Sequence, residues 1–225
     1  IGTVTSAIDG AGRDNRVRYD TPTYAGFTLG VSAATRGRYD AALTYANKDL
    51  AGFAVAAGVG YAAFNSGEDT TVSDSGTLGK GSTLNGSFSV LHKATGLNIY
   101  AAAGTVLDSE ETVVGGNLVD LQDEYFFYVQ GGWITNAITD LGKTAFAVGY
   151  HFSDQEDIAG ANLRETEGQF ITAKVVQNIE KLSTELYARY TYYDVDFAQG
   201  AVGGPVADVD TDAIHVVAVG ARIKF

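Results

Sequence analysis

The chain of 225 residues carries a net charge of −12, and its mean hydropathy is 0.00 although hydrophobic residues make up 45% of it. The longest weakly polar runs, at 53–64 and 216–221, are shorter than the roughly 20 residues that a helix needs to cross a bilayer, so a helical membrane span is excluded. The negative charge also argues against nucleic-acid binding, which requires clustered Lys and Arg.

A two-residue repeat runs along almost the whole chain. From 27 to 34, apolar Phe27, Leu29 and Val31 alternate with small or polar residues, which is typical of a β-strand with one apolar side. The eleven apolar sets that follow this pattern lie at 17–19, 27–33, 39–45, 53–61, 84–90, 97–103, 125–133, 146–152, 171–175, 186–192 and 217–225. The sequence therefore predicts an all-β, antiparallel fold with eleven strands.

Short and long links alternate between these predicted strands. The short links are 21–26, 48–52, 93–96 and 177–182, and the long links are 65–82, 106–122, 153–168 and 194–211. Two links break this alternation. The link at 36–38 is short although it lies at the end of the sheet where the other links are long, and the link at 134–142 is long although it lies at the end with short links. Apolar alternation fits both a soluble β-sandwich and a transmembrane barrel, but short turns at one end and long loops at the other favour the barrel.

Strand length and aromatic placement also favour a transmembrane β-barrel. With their flanking residues, the apolar sets span about 9 to 13 residues, enough for a tilted strand that crosses a bilayer, whereas soluble strands typically have about five or six. Aromatic residues concentrate at the strand ends, where two membrane interfaces would form girdles. They are Tyr19, Phe27, Tyr39, Phe53, Tyr61, Tyr125, Phe152, Tyr192 and Phe225.

Two segments resemble the Gram-negative general porin family. They are NRVRYDTP at 15–22 with YAGF at 24–27, and the terminal ARIKF at 221–225. The resemblance implies an outer-membrane channel for passive diffusion of ions and small hydrophilic solutes, assembled as a homotrimer and in contact with lipopolysaccharide and outer-membrane lipid. It also implies that Phe225 is part of the signal read by the outer-membrane assembly machinery.

The strand count indicates a barrel that is only partly present in the sequence. Bacterial single-chain barrels have an even number of strands, and eleven strands complete sixteen if the first corresponds to the family's sixth. In that alignment 1–225 is one barrel domain, in which 1–12 is the tail of the constriction loop and 15–225 holds the strands. The chain has no methionine and no signal peptide at Ile1, so we expect it to begin inside a longer sequence.

Basic residues are predicted to line the pore, because they alternate with outward apolar residues. They are Arg16, Arg18, Lys174, Arg189, Arg222 and Lys224, against the acidic Asp20, Asp40 and Glu185. In porins a basic wall faces acidic groups of the third loop, and Arg16 and Arg18 stand where the resemblance places part of that wall. The alternative is that these two arginines only solvate the lumen or pair with Asp20.

Most acidic residues lie in the long links, for example Asp208, Asp210 and Asp212. Such oxygen-rich clusters are interpreted either as divalent-cation sites that bridge lipopolysaccharide phosphates or, preferably, as a solvated surface. No cofactor or metal site is otherwise predicted.

An enzyme is not predicted, because none of the three histidines lies near a Ser in a GxSxG setting. Trp133 is interpreted as a membrane-interface anchor. Inward Tyr100, Tyr128 and Tyr187 are interpreted as too scattered to guide a sugar through the lumen. The alternative to a passive channel is a scaffold or receptor barrel that holds a partner, which would normally be larger and contain a plug.

Overall fold

The computed structural model describes residues 15–64, 81–107, 112–114, 117–119, 124–156, 163–199 and 207–224. These residues form fourteen strands and two short 3-10 turns, at Thr35–Gly37 and Glu180–Leu182. The strands are β1 (Arg16–Asp20), β2 (Phe27–Ala34), β3 (Arg38–Leu50), β4 (Phe53–Phe64), β5 (Gly81–His92), β6 (Leu97–Leu107), β7 (Thr112–Val114), β8 (Asn117–Val119), β9 (Tyr125–Thr135), β10 (Thr144–Glu156), β11 (Leu163–Ile179), β12 (Thr184–Gln199), β13 (Ala207–Asp210) and β14 (Ile214–Ile223). Within this part of the chain, no helix has the length and apolar character needed to cross a membrane.

Twelve of the strands form one antiparallel sheet in which strands pair in chain order, except that β6 pairs with β9 and β14 with β12. β13 and β14 both pair with β12, at its two ends, while β7 and β8 form a separate hairpin. The predicted antiparallel all-β fold is confirmed. The main sheet has one strand more than predicted, because β13 lies in a segment that was predicted as a link.

The sheet is open. Among the described strands, β1 is paired with β2 and β14 with β12, and the two are not paired with each other. This agrees with the expectation that these strands do not close a barrel by themselves.

Two tight turns fix the register at one end of the sheet. Ala25 and Gly26 connect β1 and β2 with φ of +49° and +90°, and Ala51 and Gly52 connect β3 and β4 with φ of +51° and +88°. Positive φ at both central residues is the type I′ geometry, which matches the twist of the flanking strands. Glycine at the second position removes the steric cost of the left-handed conformation.

The longest hairpins extend further than the sequence predicts. β10 continues to Glu156 and β11 begins at Leu163, so much of the link predicted at 153–168 is strand. β11 and β12 have 17 and 16 residues, beyond the predicted range of 9 to 13. The sequence there loses its apolar alternation, but a ladder of backbone hydrogen bonds does not depend on apolar side chains. The hairpin therefore continues past the apolar part of the sheet.

Burial is inverted relative to a soluble protein. The apolar face of the sheet is exposed, as shown by Val148 at 60% and Val219 at 75%. The opposite face, here called the polar face, carries most of the buried polar side chains, namely Ser32, Thr83, His151, Ser153, Thr166, Thr172 and Thr191. Because side chains crowd on the concave side of a curved sheet, this difference indicates that the polar face is concave. An exposed apolar face of this size requires an apolar medium outside.

Candidate functional site

Five of the six predicted pore cations lie within strands, on the polar face. Arg16 and Arg18 are on β1, where they alternate with Val17 and Tyr19, which are exposed on the apolar face. The other strand residues are Lys174 on β11, Arg189 on β12 and Arg222 on β14. Lys224 follows β14, and its ammonium reaches Glu185 on the polar face. Phe225, the predicted assembly signal, lies outside the described residues.

The two arginines of β1 are each paired with a carboxylate. The guanidinium of Arg18 lies 2.8 Å from Oδ1 of Asp20, and that of Arg16 lies 3.8 Å from Oδ2 of Asp40. Ser32 donates a further hydrogen bond to Asp40. This cluster balances two positive charges with two negative ones, which favours the alternative interpretation of Arg18 as a partner of Asp20.

A glycine makes room for the Arg18 ion pair. A Cβ at Gly30 would lie 2.8 Å from Nη2 of Arg18 and 2.6 Å from Oδ1 of Asp20. Both side chains therefore lie flat against β2, and a larger residue at Gly30 would displace them.

A second charged cluster lies near the short-turn end of the sheet. Glu185 accepts from Nζ of Lys224 at 2.6 Å and from Nη1 of Arg222 at 3.4 Å. Glu185 is opposite Arg222 in the register of β12 and β14. One carboxylate here compensates half of the positive charge of two cations.

Lys174 and Arg189 differ from the other predicted cations. They are direct partners in the register of β11 and β12. Across the described residues, neither forms an ion pair, whereas the other four predicted cations do. Their depth matches the apolar face, since Lys174 lies between Ala173 and Val175 of the apolar set. The structure thus brings together two uncompensated cations that the sequence predicted as pore-lining, but not as neighbours.

The polar face also carries six aromatic rings on neighbouring strands, here called the inner aromatic band. Its members are Tyr100, Phe126, Tyr128, His151, Phe170 and Tyr193. His151 stacks on Phe170 with ring centroids 4.5 Å apart and planes at 13°. Further contacts join Tyr100 to Tyr128 at 5.7 Å and Phe170 to Tyr193 at 5.5 Å. The interpretation of the inward tyrosines as scattered is therefore wrong for Tyr100 and Tyr128.

The apolar face has aromatic contacts at both strand ends. Near the short turns, Phe27 contacts Tyr45 and Trp133 stacks on Phe146, with centroids 4.7 and 6.1 Å apart. Nε1 of Trp133 donates to the carbonyl of Thr95 at 3.0 Å, so its polar edge is satisfied in the turn. At the other end, the contacting rings are Tyr125, Phe127, Tyr150 and Phe152. This arrangement suits two membrane interfaces.

Comparisons with known proteins agree with this architecture. The Gram-negative porin family matches residues 1–198. The structure "Outer-membrane expressed OmpT of Vibrio cholerae" is similar in fold, with a TM-score of 0.52 and 21% identity over 93% of this chain. This chain spans 64% of the length of that protein. No curated protein sequence matches.

The family match covers most of the sequence and includes the first of the two segments that resemble porins. It confirms the resemblance and the predicted location in the bacterial outer membrane. Together with the exposed apolar face, the concave polar face and the aromatic girdles, it shows that this chain belongs to the Gram-negative porin family and is an outer-membrane protein of the porin β-barrel type.

Proposed function

We propose that this chain forms the wall of a water-filled channel for passive diffusion of ions and small hydrophilic solutes. The observation that carries the proposal is the inverted burial, with apolar side chains exposed on one face and charged and hydroxyl side chains on the concave face. Charged side chains at the depth of the apolar face, such as Lys174 and Arg189, require water because an isolated charge in hydrocarbon costs several kcal/mol.

Barrel closure is part of this proposal. Among the described strands, the edges formed by β1 and β14 have backbone groups without partners, and lipid does not supply them. Further strands of the same protein are proposed to pair with these edges and to complete a sixteen-stranded barrel with one constriction loop. A homotrimer, and contact of the acidic loops with lipopolysaccharide, are proposed on the basis of family membership.

The channel is proposed to act without catalysis. Two histidines have hydroxyl partners that suit a structural role, since His92 contacts Thr95 and His215 contacts Tyr190, both at 2.7 Å. His151 is 5% exposed within the inner aromatic band. His92 and His215 share the apolar face with Phe53 and Tyr192, away from the polar face, and His151 is buried in ring contacts.

The experiment is conductance of the whole protein, purified from outer membranes, in a planar bilayer. Stepwise insertion with a linear current–voltage relation in potassium chloride is expected, and sugars of increasing size should enter proteoliposomes at decreasing rates. Folded protein that inserts without conductance, as judged by resistance to unfolding in detergent on a gel, would contradict the channel. That result would favour a scaffold barrel.

A further inference from the structure

Two rings of the inner aromatic band, those of Tyr128 and Phe126, lie against the sheet because glycines of the neighbouring strands leave space for them. A Cβ at Gly149 would lie 2.5 Å from the hydroxyl oxygen of Tyr128 and 3.0 Å from its Cζ. A Cβ at Gly104 would lie 2.6 Å from Cε1 of Phe126. Tyr128 therefore lies along the wall with one ring face turned away from it, whereas His151 and Phe170 stack face to face and cover each other's faces. A flat ring face binds the apolar C–H face of another ring through dispersion and weak polar contacts.

The band is amphipathic. Three of its six rings are tyrosines, whose hydroxyl groups add polar edges to the apolar faces. Tyr128 already donates from its hydroxyl to Oε1 of Gln130 at 3.0 Å. A solute that matches this surface has an apolar ring face and hydroxyl groups around its edge, which describes a pyranose sugar.

A row of hydroxyls and then a pair of cations follow the band along β11 and β12. Phe170 and Tyr193 are direct partners in the register, followed on the polar face by Thr172 with Thr191. The two threonine hydroxyls are buried and lie 3.3 Å apart. Next along the same face comes the uncompensated pair Lys174 and Arg189.

The distance between the inner aromatic band and the pair of cations suits a solute made of two sugar units. The hydroxyl end of Tyr128 lies over Gly149, which is opposite Thr172 in the register of β10 and β11, and Thr172 is two residues, or about 7 Å, from Lys174. The long side chain of Lys174 shortens the gap between ring and charge. One sugar ring on the aromatic band therefore leaves an attached acidic unit within reach of the cations.

We propose that this surface is a low-affinity binding site for acidic sugars in the channel. The sugar ring stacks on Tyr128 of the inner aromatic band, and the carboxylate binds Lys174 and Arg189. The site rests on the proposed channel function, since its solutes must first enter the lumen. Aromatic ring faces can also bind cations. Here the positive charges of Lys174 and Arg189 disfavour a cation, because they are the nearest charges along β11 and β12 on the polar face.

The test compares lactose with lactobionate, its oxidised counterpart that keeps one galactose ring and gains a carboxylate. Each sugar is titrated against the ion current of single channels of the whole protein, and current block gives the dissociation constant. Lactobionate is expected to bind about tenfold more tightly than lactose, the contribution of a charge-assisted hydrogen bond. Equal block by the two sugars, or no block by either in a conducting channel, would overturn the acidic-sugar site.

Two variants separate the parts of the site. The K174Q/R189Q double variant should remove the preference for lactobionate and leave block by lactose unchanged. Y128A should weaken block by both sugars about tenfold, a magnitude typical of lost ring stacking. If the lactobionate preference survives the first variant, or block survives the second, the site is not where we place it.

A third variant and a control exclude a general effect on the pore. Gly149→Ala displaces the flexible end of the Tyr128 side chain and should weaken block by both sugars, with conductance in salt alone retained. Thr44→Ala, on the polar face of β3, should leave both dissociation constants unchanged. Absence of conductance in the unsubstituted protein would instead contradict the proposed channel function. This failure is distinct from a failure of the sugar site.

Discussion

Replacing Leu43 by Arg tests which face of the sheet meets lipid. Leu43 lies on β3 with 43% of its surface exposed, opposite Leu29 on β2 and Val59 on β4. Tyr39 and Tyr45 lie on the same face of β3, on either side of Leu43. These neighbours place Leu43 inside the apolar face rather than at its border.

The expected cost follows from the depth of the residue. An arginine on the lipid face near the bilayer midplane costs about 2 to 4 kcal/mol. At about 1.4 kcal/mol for each factor of ten, this corresponds to roughly a 30- to 700-fold shift of the folding equilibrium. The matched control is Thr44→Arg on the opposite face, where the side chain is exposed and its hydroxyl donates to the carbonyl of Thr28 at 3.3 Å. Because water solvates the guanidinium there, a cost of about 0.5 kcal/mol or less is expected.

Urea-dependent unfolding of the whole protein from phospholipid vesicles measures both costs. Trp133, the one tryptophan of this chain, provides the signal because it lies on the apolar face and leaves lipid when the sheet unfolds. Equal destabilisation by the two arginines would refute the assignment of faces. A larger loss for Thr44→Arg would reverse it.

Three further predictions concern charge and depth. The K174E/R189E variant should shift the reversal potential under a salt gradient toward cations while stability is retained, because neither side chain has an ion-pair partner among the described residues. Replacing Arg16 and Arg18 by Glu should also shift the reversal potential toward cations, but with lower resistance to urea, since two aspartates lose their partners. An unchanged reversal potential in normally assembled protein would show that these cations do not affect permeation. Fluorescence of Trp133 should be quenched by lipids brominated near the headgroup more than by lipids brominated at the chain ends, and the opposite order would place Trp133 near the bilayer centre.

The fold was largely predictable because the two-residue period reports a local property. Each strand crosses the apolar part of the sheet with its own alternation, and glycine-containing turns mark the short links, as at Gly26 and Gly52. The extent of the long hairpins was not predictable in this way. Beyond the apolar face the pairing of β11 with β12 rests on backbone hydrogen bonds, which leave no apolar pattern in the sequence.

For the candidate site, the sequence predicted only on which face of the sheet each residue lies. Alternation placed Arg16 and Lys174 on the polar face, but their different surroundings depend on register across strands. Arg16 meets Asp40, which is distant in the sequence, while Lys174 meets another cation. The inner aromatic band was missed for the same reason. Phe126 and Phe170 each interrupt the polar positions of a single strand and read as isolated exceptions, and only the pairing of neighbouring strands brings the rings together.

The net charge of −12 does not oppose an anion-binding site inside the channel. Charges act over about 8 Å at physiological ionic strength, so a permeating ion experiences the nearest side chains rather than the sum over the chain. Glu167 is seven residues from Lys174 on β11, which separates their Cα atoms by about 23 Å. The acidic ends of the long hairpins therefore act on solutes before entry, whereas the pair of Lys174 and Arg189 acts on those already inside. The preference of the channel should follow the local pair, and the acidic loops should affect mainly the rate at which anions enter at low salt.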